Sequence, residues 1–160
     1  MNNQIAVLIA QANNTIKILE DNRGFYTEFI RGDYKKLGQT TASAIVFSQI
    51  FIDYYTCVET FLFRCSQTFE NNLEQEKWHK SLLQKMSLDI PNIRPAILSK
   101  ESFEMLDEFL RFRHFRRYYF NFSYDWDKID LLSKKYDDLH PYIKEDIQIF
   151  KTFLNQLLED

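Results

Sequence analysis

The sequence predicts an all-α fold, an up-and-down bundle of five to six helices, on three observations. Glycine and proline are scarce, with three of each in 160 residues, too few turn-formers for a many-stranded β fold. Apolar residues recur at intervals of three and four along most of the chain. One long stretch, "SAIVFSQIFIDYYTCVETFLF", is apolar nearly all round, as expected of a helix surrounded by others. With 45% hydrophobic and 27% charged residues, the composition is that of an ordinary globular chain, and residues 1–160 read as a single domain.

In chain order, Ile5, Leu8, Ile9, Ala12, Ile16 and Leu19 mark an amphipathic first helix that reaches the "RGDY" turn at Arg31 to Tyr34, with an irregularity expected near Gly24. A second helix starts after Gly38, runs to about Phe69 and lies at the centre. The polar "ENNLEQE" reads as a loop or helix start. "KWHKSLLQKM" is a short third helix, stopped by "DIPNIRPA" with its two prolines. Ser99 is an N-cap, with Glu101 in the first turn of a fourth helix reaching about Tyr119. After "NFSYDW", Asp125 is expected to cap a short helix ending near Tyr136. Pro141 then suits the first turn of a final helix striped by Ile143, Ile147, Phe150, Leu154, Leu157 and Leu158. Trp78 and Trp126 read as core anchors, one on each short helix.

Charge and cysteine content narrow the function. A formal net charge of −3 supplies no global field for nucleic acid, so phosphate binding has to come from a local patch. Cys57 and Cys65 lie about 12 Å apart along one helix, too far for a bridge within it, and fit a reducing cytosol. "MNNQIAVLIAQANN" has neither a basic leader nor a cleavage signal, and no segment approaches the roughly 18 apolar residues of a membrane span. A cytoplasmic, non-membrane protein is expected. Neither the histidines nor the cysteines have ligand spacing, and phosphate-binding glycine loops are missing, so no metal and no cofactor is expected.

The patch is "RFRHFRRYYF", Arg111 to Phe120. On a helix, Leu106, Phe109, Leu110 and Arg113 share a face, so Arg113 stands in an apolar stripe. A guanidinium there needs a carboxylate, a phosphate or a partner's carbonyls to offset its desolvation. Arg116 and Arg117 flank it, Arg111 points nearly opposite, and His114 and Tyr118 line the adjacent side. Internal ion pairing, a dimer seam and a phosphodiester site all satisfy this pattern; in the last, arginines face charge, aromatics stack bases and an imidazole moves protons.

"FLRFRHFRRYYFNFSYDWDKI" resembles the signature region of HepT-like proteins, part of the HEPN superfamily. Upstream, "YYTCVETFLFR" and "KWHKSLLQKM" look like the second helix of that family and its Trp-His…Leu-Leu…Met segment, so the resemblance spans about Tyr54 to Ile129. It implies an HEPN-like helical bundle and a homodimer with a composite cleft. It further implies a toxin of a toxin–antitoxin pair, metal-independent RNA cleavage, and neutralisation by an MNT-type nucleotidyltransferase. The family motif is an arginine, four to six residues, a histidine, one residue and a tyrosine. In it the histidine moves protons, the arginine holds the scissile phosphate, and the tyrosine accepts AMP.

Arg113 matches the motif arginine and His114 the polar residue that often follows it. Tyr118 stands at the histidine position and Phe120 at the acceptor tyrosine. A phenol with a pKa of about 10 is a poor proton acceptor at neutral pH, and the loss of positioned acid–base catalysis costs roughly 10²–10⁴-fold. Phe120 has no hydroxyl to modify. Arg113, His114 and Tyr118 are therefore the candidate catalytic group, with cleavage weak or lost, and Arg116, Arg117 and Tyr119 the candidate RNA contacts. A non-catalytic module that binds RNA or the nucleotidyltransferase partner is the alternative. Among the remaining candidates, Glu59 is the expected buried partner of Arg113 or Arg64, with Glu59 and Arg64 the residues of a structural ion pair. His79 reads as a capping or packing residue, and His140 as a turn residue before Pro141.

Overall fold

The structure, a computed structural model, describes residues 2–70, 78–118 and 124–159; the side chains of Trp78 and Tyr118 lie outside that description. Most of "ENNLEQE", the "NFS" of "NFSYDW", and Tyr119 and Phe120 also fall outside it. The described residues form α1 (Asn2–Arg31), α2 (Asp33–Leu37), α3 (Thr41–Phe69), α4 (Trp78–Met86), α5 (Lys100–Tyr118) and α6 (Trp126–Glu159). The all-α bundle is as the sequence predicts.

α1 buries Ile5, Leu8, Ala12, Thr15, Leu19, Tyr26 and Phe29, a stripe of alternating three- and four-residue steps. It runs unbroken through Gly24, contrary to the expected irregularity. A Cβ there would meet nothing within 4 Å, so no close packing partner is present to distort the backbone. Gly38, by contrast, sits at φ +64° and closes α2 through its N–H to the Tyr34 carbonyl at 2.8 Å, a left-handed conformation that side chains resist. Two residues later the Thr40 side chain accepts from the Ser43 N–H at 3.2 Å and starts α3.

α3 packs against α1, α4, α5 and α6, and α1 and α5 each also pack on α6. The four long helices therefore close a ring in the order α1, α3, α5, α6, with α4 laid over α3 and α5. Cross-contacts give the directions. Phe29 meets Phe47 and Asn22 donates to the Ile50 carbonyl, so α1 and α3 are antiparallel. Ser99 meets Asp146 while Glu108 meets Lys128, so α5 and α6 are antiparallel. The centre is an aromatic stack from Phe47 through Phe51 to Tyr136 and Tyr54. Trp126 is a partly buried anchor, stacked on Tyr34 and edge-on to Phe47.

α4 ends at Met86, ahead of Pro91 and Pro95, and Arg94 ties the connection that follows. Its side chain is fully enclosed and bonds Glu70 through two nitrogens, and it donates to the carbonyls of Lys85, Leu88 and Pro95. Ser99 Oγ accepts from the Ser102 N–H at 3.2 Å, the expected N-cap, and donates to Asp146 of α6 at 3.0 Å.

At the C-terminal end the structure departs from expectation. The two helices expected around Pro141 are one, α6, with Pro141 inside it. Asp125 does cap its start, accepting from the Asp127 N–H at 3.0 Å. A proline ring removes one helical hydrogen bond, here to the carbonyl of residue 137, at a cost of about 3 kcal/mol. Pro141 is exposed while Tyr136, Leu139, Ile143 and Ile147 on either side are buried. Asp137, whose carbonyl is left over, is an exposed residue, and burial at roughly 1.5–3 kcal/mol per large side chain holds both halves on one axis. Among the described residues, no helix is long and apolar enough to cross a membrane.

Candidate functional site

Arg113 lies near the C-terminal end of α5, on the same side as the buried Leu106 and Phe109, where the helical stripe predicts it. Its guanidinium crosses to α3. Nη1 donates to Glu59 Oε1 at 2.9 Å and Nη2 to Glu59 Oε2 at 3.1 Å, a two-pronged pair, and Nη1 also reaches Thr56 Oγ1 at 3.4 Å. Of the three anion sources open to this arginine, the protein uses its own carboxylate.

Of the two partners expected for Glu59, Arg113 is the one that pairs and Arg64 is not. Five residues along a helix turn a side chain by about 140°, so Arg64 leaves the face that carries Glu59. Arg64 is exposed and lines a shallow groove with Gln67, Thr68 and the α1 residues Gln4, Val7 and Gln11.

Besides the two prongs of Arg113, Glu59 has two further partners: Tyr55 Oη donates to Oε2 at 2.7 Å, and His79 Nδ1, from α4, lies 2.7 Å from the same oxygen. The carboxylate side chain is only 6% exposed. Such a desolvated charge requires this full set of donors. Tyr55 is fully buried, and burial first, then the neighbouring Glu59 charge, raises its pKa far above the ordinary phenol value. It therefore stays protonated and donates. The Arg113 guanidinium carbon sits 4.7 Å from the centre of the Tyr55 ring, a cation–π contact beneath the ion pair.

His79 Nδ1 also lies 3.2 Å from Arg113 Nη2. Arginine only donates and an ionised carboxylate only accepts, so one ring nitrogen cannot bond both. The shorter contact, to Glu59, assigns a proton to Nδ1. This residue was expected to cap or pack. The signal that it does more is legible on α4, where His79 shares a face with the buried Leu82, Leu83 and Met86. A histidine in an apolar stripe poses the same question as Arg113.

The other residues of the arginine stretch are placed differently. Arg111 is exposed and pairs with Asp107 one turn earlier at 2.5 Å. His114 and Arg117 are exposed, and Phe115 between them is 52% exposed. Arg116 is half-buried over the Tyr124 ring at 5.0 Å, and burial lowers its pKa. Tyr118 ends α5, with its side chain outside the description; Tyr119 and Phe120 lie beyond the described residues. His140 is a helical residue, not a turn residue. Its Nδ1 is 2.8 Å from Tyr54 Oη, and burial, then the charges of Arg23 and Lys144, lower its pKa to about 4.

The site thus joins α3, α4 and α5 through Tyr55, Thr56, Glu59, His79 and Arg113. Within it the Arg113 and Glu59 charges pair with each other. No curated protein and no solved structure matches the chain. A family profile described as HepT-like protein matches residues 46–154, a span that takes in each of these site residues and the helices carrying them. With the helical bundle and that match together, the chain belongs to the HepT-like proteins of the HEPN superfamily.

Proposed function

We propose that this chain is the toxin-type member of a toxin–antitoxin pair, that it binds RNA as a homodimer in the cytoplasm, and that it cleaves RNA slowly. Arg116, Arg117 and the exposed Phe115 at the end of α5 provide a basic and aromatic surface for a single strand. The observation that carries the reading of slow cleavage is the two-pronged bond from Arg113 to Glu59. A guanidinium already neutralised by a buried carboxylate offers a scissile phosphate less than an open one does. Tyr118 at the motif histidine's position acts in the same direction. An MNT-type nucleotidyltransferase fits as partner through family membership, and Phe120 at the acceptor position rules out nucleotidyl transfer to that residue.

The same closed ion pair also favours a second reading, in which the protein is a non-catalytic module whose α5 end holds RNA or the nucleotidyltransferase. One experiment separates the two: a mixed single-stranded RNA is incubated with purified protein, and both retention and product are followed across a salt series. Retention that weakens steeply as salt rises, with slow product formation that Tyr118→His accelerates, is the expected result. Retention with no product in any variant supports the module. Salt-insensitive behaviour with a tightly co-purifying protein moves the α5 surface from RNA to a protein partner.

A further inference from the structure

We infer that the second copy in the homodimer docks on the face shared by α1 and α3, antiparallel to the first, so that Asp53 of each protomer meets Arg64 of its partner. The inference rests on the homodimer reading above and names the face that makes the dimer.

Composition marks the face. On α1, Gln4, Val7, Gln11, Asn14, Ile18 and Phe25 recur at steps of three, four and seven along one line about 30 Å long. None of them is charged, and Val7, Ile18 and Phe25 are 55%, 45% and 55% exposed. On α3, Gln49, Asp53, Thr60, Arg64 and Gln67 form a second exposed line with one charge of each sign. A groove lined by Gln4, Val7 and Gln11 from one helix and by Arg64 and Gln67 from the other puts the two lines side by side. In a chain that is 27% charged, so neutral a face with three large exposed apolar side chains has the composition of an interface core. The groove between α5 and α6, by contrast, is lined by Glu101, Glu104, Lys135, Asp138 and Glu145.

The charges select the occupant. Among the described residues Asp53 accepts from the neutral Gln49 at 2.7 Å, and neither it nor Arg64 has an ion-pair partner. Eleven positions apart, they stand about 16 Å from each other on one side of α3. A two-fold axis crossing α3 midway between them sets two such helices antiparallel and matches each aspartate with an arginine, twice. The neighbouring helix agrees with that axis. Asn22 donates to the Ile50 carbonyl, and α1 runs antiparallel to α3, so the exposed Asn14 stands level with Val58, close to the same midpoint. Val7 of one protomer then falls within about 3 Å, measured along the helix, of Ile18 of its partner. With the two helices about 10 Å apart, the face offers roughly 600 Å² per protomer, the lower end of stable interfaces. α5 packs on α3 at the other side of the ring from α1, so the arginine ends stay outside this interface and each protomer presents its own basic surface.

The test is sedimentation equilibrium of the full-length protein, with far-UV circular dichroism to confirm that each variant folds. The wild type is expected to be a dimer. Ile18→Asp and Arg64→Asp each change an exposed residue and are expected to raise the dimer Kd by roughly 10²-fold, since each sets like or unpaired charges against the partner. Asp53→Arg combined with Arg64→Asp is expected to bring the Kd back to within about tenfold of the wild type, a recovery that damage to the fold does not give. Asn14→Cys is expected to form a disulfide-linked dimer under mild oxidation, because facing Cα atoms on helices packed about 8–10 Å apart come within bridging range. The wild type, with Cys57 partly and Cys65 fully buried, is not expected to cross-link. Phe115→Asp, at the end of α5, is expected to leave the dimer intact. A dimer that survives both single variants overturns the inference, as does a charge exchange that restores nothing or a dimer that Phe115→Asp takes apart. If the α1 and α3 variants keep the dimer but release a co-purifying protein, a different chain covers the face and the inference falls. A monomeric wild type overturns the homodimer reading first.

Discussion

Replacing Arg113 with alanine removes two of the donors that hold the Glu59 carboxylate and leaves that charge in a pocket where it is 6% exposed. Breaking a buried pair by deleting one member costs about 3–5 kcal/mol, because the survivor keeps its desolvation penalty. Here Glu59 retains Tyr55 and His79, and Arg113 is itself 21% exposed, which points to the lower end, about 3 kcal/mol. At 2–4 °C per kcal/mol for a chain of this size, the melting temperature drops by roughly 6–12 °C. Thermal melts followed by far-UV circular dichroism measure it. Glu59→Ala and the double variant complete a cycle, in which the double loss is smaller than the sum of the single losses by about 0.5–3 kcal/mol. An Arg113→Ala protein that melts with the wild type would show that the pair is not desolvated as described. Arg113 would then not be committed to an internal acid.

Two further outcomes follow from buried groups away from the site. His140 titrates at about 4 in the folded protein against an ordinary 6.5, so the unfolded chain binds the extra proton first. Its contribution to stability is complete above pH 6.5 and is lost as pH falls towards about 4. His140→Gln is expected to flatten the acid side of a plot of melting temperature against pH, and an unchanged slope in that window refutes the assignment. Arg94→Lys keeps the charge but loses the planar fork that serves Glu70 and three carbonyls at once. A loss of about 3–5 kcal/mol in urea denaturation is expected, and a loss below about 0.5 kcal/mol, the range of surface substitutions, would show that the clamp does not matter.

The lesson for reading such a chain lies in which residues spoke for themselves. The start of α5 at Ser99, the cap at Asp125 and the burial of α3 were legible because capping and amphipathic spacing act within one or two turns of helix. The split expected at Pro141 was an error of the same local reasoning. The proline does remove a hydrogen bond, but the buried residues on either side of it outweigh that loss through contacts with α1 and α3. Of the two arginines expected to partner Glu59, Arg113 does so and Arg64 does not, since five positions on one helix point two ways.

By itself the sequence determined the helical class, the faces the helices bury, and the demand that an arginine at position 113 in an apolar stripe find an anion. Only the tertiary structure decided which anion answers, and that a histidine from α4 joins it. Glu59 and His79 stand 54 and 34 residues from Arg113. Helical periodicity says which way a side chain points from its own axis, whereas the partner it meets depends on how α3, α4 and α5 pack together.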